Sequence, residues 1–213
     1  MPKNKYTLEE EIGNTATHAF GSLVAAFLLG FLIYHGIVIQ KTLTDLIGYG
    51  IFGFSSVMMF IMSSLYHAIS VNDIKLKLKL FDHIAIYFLI AGTYIPVTLC
   101  SIIEHNPILG WSFIGIQISA VIAGVCYKLF SKKNFGMLST TIYCIIGWSA
   151  VMIFKPLMDN LNHDAMVWLV AGGFAYTIGV PFYVLKQYKW THTIWHGFVI
   201  IGVICHYMML FDL

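Results

Sequence analysis

The chain has 213 residues, of which 59% are hydrophobic and only 10% are charged. Soluble domains carry about 25% charged residues, so this chain has too few of them to cover a water-exposed surface. The composition therefore excludes a soluble globular protein and indicates a polytopic membrane protein. Because a spanning helix takes about 20 residues, seven helices with short connections use nearly the whole chain, and residues 1–213 are expected to form a single membrane domain.

The hydrophobic runs predict an all-α bundle of seven transmembrane helices. Residues 1–14 are polar, and Thr7 followed by Glu10 is the pattern of a capping box, so a short helix at the membrane surface is expected there. The predicted spans are about 15–39, 46–69, 82–103, 108–130, 137–157, 165–185 and, after a connection at 186–191, the stretch that runs to 213. Lysine alternates with leucine just before the third span, which is typical of an interfacial segment.

The lysines predict the orientation of the bundle. All 12 basic residues are lysines, and only Lys41 and Lys155 fall in loops on the side opposite the amino end. The lysines on the amino-terminal side are Lys3, Lys5, Lys75, Lys77, Lys79, Lys128, Lys132, Lys133, Lys186 and Lys189. Cytoplasmic loops are the lysine-rich ones. We therefore expect a cytoplasmic amino end and an outside carboxyl end, in a plasma or inner membrane.

Five polar residues are predicted to share one layer near the cytoplasmic surface. His192 and His196 open the seventh span, and their four-residue spacing places both imidazoles on one helical face. Ser63 and His67 have the same spacing at the end of the second span, and Asp82 opens the third. A helix that descends to the cytoplasm ends at the level where the next one starts, so the topology gathers these residues.

This layer has the composition of a catalytic zinc site. Three neutral imidazoles leave a fourth position open, and zinc there lowers the pKa of a bound water to about 7. His67, His192 and His196 are the candidate ligands. Asp82 is placed to orient or deprotonate the water, and Ser63 to hydrogen-bond the water or Asp82. A lipid-facing aspartate would cost roughly 2.5–3.5 kcal/mol, so Asp82 should face inward.

Plainer interpretations compete for the same residues. Histidines at helical spacing can simply be interfacial polar groups, Asp82 can serve as a helix N-cap, and Ser63 can bond to its own backbone. No catalytic or metal-binding role is assigned to the remaining histidines. His206 lies on nearly the face of His192 but about 21 Å deeper, where it can line a cavity without reaching the metal. His18 and His83 are expected to be packing or hydrogen-bonding residues.

Four segments resemble the hemolysin III family. They are EEIGNTATHAFG near the amino end, SSLYH at 63–67, FDHIAIYFLIAGTYIPV at 81–97 and HTIWHGFVIIGVICHY at 192–207. That family belongs with the progestin and adipoQ receptors, which include the adiponectin receptors, and more distantly with the alkaline ceramidases. The resemblance implies seven helices with a cytoplasmic amino end and zinc held at His67, His192 and His196, with Ser63 and Asp82 completing the site. It also implies a link with membrane-fluidity homeostasis.

Two functions remain open at this point. The first is a zinc-dependent hydrolase that acts on an amide or ester of a membrane lipid, with Asp82 as general base, and contributes to lipid homeostasis. The second is a non-enzymatic sensor or regulator of membrane fluidity in which the zinc is structural. A haem cytochrome is disfavoured because the four-residue spacing would crowd both imidazoles on one side of the macrocycle. We expect membrane lipids as partners and no nucleic acid.

Overall fold

The computed structural model describes residues 6–130, 136–185 and 187–213, and within these ranges all regular secondary structure is helical. The elements are α1 (Leu8–Val38), α2 (Leu43–Ala68), α3 (Asn72–Ser101), α4 (Pro107–Phe130), α5 (Gly136–Gly147), a 3₁₀ helix (Ser149–Ile153), α6 (Phe154–Asn160), α7 (His163–Val184) and α8 (Thr191–Phe211). The chain thus alternates long helices with short connections.

Seven helical segments are long and apolar enough to cross a membrane, which confirms the predicted all-α, seven-span bundle. The fifth of them, Gly136–Asn160, is made of α5, the 3₁₀ helix and α6 in succession. Large apolar side chains such as Phe20, Leu23 and Phe27 stay exposed on the bundle, as expected of a surface whose solvent is lipid. The orientation stays a prediction, and Lys3, Lys5, Lys132, Lys133 and Lys186, which support it, lie outside the described residues.

The first helix begins earlier than the first predicted span. The capping box is present: Thr7 Oγ1 accepts a hydrogen bond from the backbone N–H of Glu10, whose carboxylate accepts from that of Thr7. From there α1 continues without a break to Val38, so residues 8–14 belong to the first spanning helix and not to a separate surface helix. Its early polar residues are accommodated because several of them, including Asn14 and His18, are buried against other helices.

The third helix also begins earlier, at Asn72 rather than at Asp82. The lysine–leucine segment is therefore its first turns. Asp82 lies well inside the helix, and the N-cap position belongs to Val71. The alternative interpretation of Asp82 as an N-cap is therefore wrong, because nothing between Asn72 and Asp82 breaks the helix.

The helices that carry the site pack around α8. This helix contacts α1 and α7, while α2 contacts α1 and α3. Tyr207 of α8 ties three of them together, since its hydroxyl donates to the carbonyl of Ala25 at 2.9 Å and lies 3.1 Å from the hydroxyl of Ser56. The end of α2 and the start of α8 consequently meet at one end of the bundle, next to the start of α1.

Candidate metal centre

Three buried histidines converge where α2 ends and α8 begins. His67 lies in the last turn of α2, and His192 and His196 lie in the first two turns of α8. One ring nitrogen from each lies within 4.8 Å of the others, and the Nε2 atoms of His67 and His192 are 3.2 Å apart. The structure thus brings together the three predicted ligands, and the triad they form could bind a metal ion.

The other ring nitrogen of His67 is occupied by a carboxylate. Nδ1 of His67 lies 2.6 Å from Oε2 of Glu11 on α1. A carboxylate accepts hydrogen bonds, so Nδ1 carries the proton and donates it to Glu11. Nε2 of His67 is then the nitrogen with a free lone pair, and it is the one that lies next to His192.

His196 is held in the same way by the backbone of α1. Its Nδ1 lies 3.2 Å from the carbonyl oxygen of Asn14, which can only accept, and 3.1 Å from the hydroxyl of Thr17. Its Nε2 is buried and has no hydrogen-bond partner. An unpaired polar atom in an apolar interior is costly. A metal ion bound by this nitrogen would remove that cost, so the donor set fits a metal that favours imidazole.

Aromatic rings surround the triad. His18 stacks on His196 with ring centroids 3.5 Å apart and planes at 11°. Tyr6 and Trp195 both stack on His192, at centroid distances of 5.0 and 5.2 Å. Burial raises the pKa of the Tyr6 phenol, so this side chain stays neutral beside the histidines. The triad therefore lies in an environment that restricts water and strengthens electrostatic interactions.

The two predicted non-histidine site residues lie near the triad. Asp82 is not part of the metal-binding group, but it interacts electrostatically with His67 and His192. Its Oδ2 lies 3.3 Å from Nδ1 of His83, and His83 in turn donates to the carbonyl of Lys79. Ser63 is buried one turn before His67 on α2. Their chemical roles stay predictions.

An apolar cavity of about 130 Å³ lies between α3, α5, α7 and α8. Trp195 and Tyr183 line it and also contact the ring of His192, so two residues of the cavity wall lie against the triad. A second cavity of about 120 Å³ shares part of this wall, including Tyr176 and Gly173, and is also lined by His206, which does not line the first cavity. His206 thus lines a cavity, as expected from its depth along α8.

Sequence reasoning missed the contribution of α1. Glu11, Asn14 and Thr17 contact two of the three histidines through hydrogen bonds, and His18 contacts His196 by stacking. The signal was present: residues 11, 14 and 18 follow one another at three- and four-residue steps, which place them on one face of a helix. Polar side chains repeated on one face of a membrane helix indicate a functional or packing partner.

Comparison with known proteins shows the family of the chain. The family model described as haemolysin-III related matches residues 6–207. The chain is 36% identical to the hemolysin-3 homolog of Bacillus subtilis over 92% of its length and 91% of the relative's, and 34% identical to hemolysin-3 of Bacillus cereus over 95% and 90%. It is also similar to the human monocyte to macrophage differentiation factor, at 26% identity over 95% of this chain and 84% of that protein. The chain is therefore a multi-pass cell membrane protein that belongs to the hemolysin III family of the progestin and adipoQ receptor superfamily.

Proposed function

We propose that this protein is a zinc-dependent hydrolase that cleaves an amide or ester bond of a membrane lipid. The observation that carries the proposal is the convergence of three buried imidazoles next to Trp195 and Tyr183, which line an apolar cavity and contact the ring of His192. In a membrane protein, a polar cluster of this kind needs a functional reason, and its contact with the cavity wall supplies a place for a lipid chain beside it.

Zinc suits the donor set. His67, His192 and His196 would hold the ion through one nitrogen each, and three imidazoles with an open fourth position are a common catalytic zinc arrangement. Bound zinc would polarise a carbonyl oxygen and acidify a water molecule. The choice of zinc over other ions that favour imidazole rests on the family resemblance together with the absence of sulfur and carboxylate donors from this group of described residues.

Asp82 is the proposed general base. It is only partly buried, and its carboxylate interacts electrostatically with two of the three histidines. Its Oδ2 lies 3.3 Å from Nδ1 of His83, and the carboxylate keeps lone pairs that can take a proton from water and return it to the leaving group. Ser63, one turn from His67, is proposed to orient the same water or Asp82.

The substrate is proposed to be a lipid whose acyl chain enters the cavity. Its lining is mostly apolar, with Met59, Leu89 and Val199 among the contributing side chains. A chain seated there would bring its carbonyl group towards Trp195 and His192, at the wall that the cavity and the triad share. The acyl chain of such a substrate would bind in the cavity, and its carbonyl group would lie at the triad.

The alternative is a sensor of membrane fluidity in which zinc is structural. It is supported by the way the triad joins α2 to α8, since an ion there would hold two helices together. The two functions differ at the fourth coordination position: a water facing the cavity favours hydrolysis, and a fourth protein ligand favours a structural role.

The deciding experiment compares lipid turnover by wild type and by His196→Ala. Both proteins are reconstituted in nanodiscs of cellular lipid extract, and released fatty acid is measured by mass spectrometry. We expect time-dependent release by the wild type only. His163→Ala is the matched control, because His163 is exposed at the start of α7. Equal release by wild type and His196→Ala, or none by either, would contradict the hydrolase proposal.

A further inference from the structure

The carboxylate of Glu11 is shared between two other helices. Its Oε2 accepts from Nδ1 of His67 on α2 at 2.6 Å, and its Oε1 accepts from Nζ of Lys75 on α3 at 2.9 Å. The side chain is 13% exposed and lies on α1 where that helix begins its span. Both oxygens are thus engaged by cationic or polar donors, as a carboxylate withdrawn from water requires.

Lys75 also fixes the segment that carries His67. Its Nζ donates to the carbonyls of Tyr66 and Ile69 at 3.0 and 3.1 Å. These carbonyls belong to the end of α2, where no further turn of helix supplies hydrogen-bond donors. One lysine in the first turn of α3 therefore holds both the carboxylate that binds His67 and the backbone around His67.

We propose that Glu11, held by Lys75, is a positioning residue for the metal centre. The inference rests on the proposed zinc site, because the nitrogen that Glu11 leaves available is the one that would bind the ion. A carboxylate on the distal nitrogen of a ligand histidine fixes the tautomer and the orientation of the ring. Here it keeps Nε2 of His67 directed at His192, at the 3.2 Å separation observed.

The ring of His67 depends on a replaceable side chain, whereas the ring of His196 does not. Nδ1 of His196 is held by a backbone carbonyl, which no side-chain substitution removes. His67 depends on a side chain from another helix, and that side chain depends on a lysine from a third. A substitution at position 11 therefore releases one ligand ring while leaving the other helices with their packing contacts.

The test measures zinc affinity of the detergent-purified full chain, stripped of metal and titrated in competition with a chromogenic chelator. We expect Glu11→Ala to bind zinc about 10- to 100-fold more weakly than wild type. Glu11→Gln should lose less, since its amide oxygen still accepts from Nδ1 although the ion pair with Lys75 is gone. Glu9→Ala is the matched control, because Glu9 is exposed two residues away on the same helix, and it should bind as wild type does.

A second readout separates positioning from general loss of stability. Co²⁺ replaces Zn²⁺ and reports its ligand field in the visible spectrum, so the bands of Glu11→Gln should shift while those of Glu9→Ala should not. Wild-type affinity and an unchanged spectrum in both Glu11 variants would overturn the inference and leave the zinc site standing. A wild type without zinc affinity would overturn the proposed function, and this inference with it. If Glu11→Ala does not fold, Glu11→Gln and Lys75→Met decide by the same criteria.

Discussion

The Nε2 atoms of His67 and His192 lie 3.2 Å apart, although 125 residues separate the two histidines along the chain. Nitrogens at this distance are stable neighbours only when a proton or a metal ion lies between their lone pairs. With Nδ1 of His67 donating to Glu11, the Nε2 lone pair of His67 faces this contact. The nearby Nε2 of His196 has no hydrogen-bond partner, and the three nitrogens lie close enough together that they could bind one metal ion.

Replacing one histidine of the triad should remove the metal. We expect purified wild type to carry about one zinc per chain and His192→Ala to carry close to none, because two imidazoles and water hold the ion far less tightly than three. Elemental analysis by mass spectrometry gives the stoichiometry. His105→Ala, in the connection that precedes α4, should keep the wild-type content. Full zinc occupancy in His192→Ala would refute the site.

Asp82→Asn should separate metal binding from turnover. The amide keeps the shape of the side chain but cannot take up a proton, so lipid hydrolysis should fall by about 10²-fold or more while zinc content stays near one per chain. The measurements are product release in nanodiscs and elemental analysis on the same preparation. Asp73→Asn, at an exposed position in the first turn of α3, should behave as wild type. Turnover that survives Asp82→Asn would favour the sensor.

Narrowing the apolar cavity should limit the acyl chains that the protein accepts. Gly173 lines both cavities, and a Cβ at this position would meet Trp148 only at 3.8 Å. Gly173→Leu should therefore fill space without a backbone clash, and it should reduce turnover of long-chain lipids more than that of short-chain ones. A series of lipids of graded chain length measures this. Gly115→Leu is the control, because the added side chain meets open space on α4. If both variants show the same dependence of turnover on chain length, the cavity is not where the acyl chain binds.

Disturbing the contact between α3 and α4 should lower the stability of the protein. A Cβ on Gly124 would come within 2.4 Å of the Tyr87 ring, which is itself buried against Tyr143. Gly124→Ala must displace that ring and should destabilise the protein by about 1–3 kcal/mol, seen as a lower midpoint of thermal unfolding in detergent. Gly115→Ala adds the same methyl group to the same helix in open space and should not lower the midpoint. Equal midpoints for the two variants would contradict the packing described.

Local patterns were sufficient for much of the fold. Seven apolar runs predicted seven spanning helices because lipid leaves a backbone of this length few other ways to satisfy its hydrogen bonds. The capping box at Thr7 could also be predicted, because its two residues lie only three positions apart on one helical turn. The starts of α1 and α3 were placed too late, because a change from polar to apolar residues marks where a helix enters the membrane and not where the helix begins.

By itself, the sequence determined the class of protein, the number of spans and the three histidines, which share one level because consecutive helices turn at the membrane surface. Only the tertiary structure decided that α1 lies against α2 and α8, so that Glu11 reaches His67 and the carbonyl of Asn14 reaches His196. The physical reason is that helix neighbours in a bundle are set by packing between faces. Glu11 and His67 are 56 residues apart in the sequence, and Asn14 and His196 are 182 residues apart. No local sequence pattern connects residues at such distances.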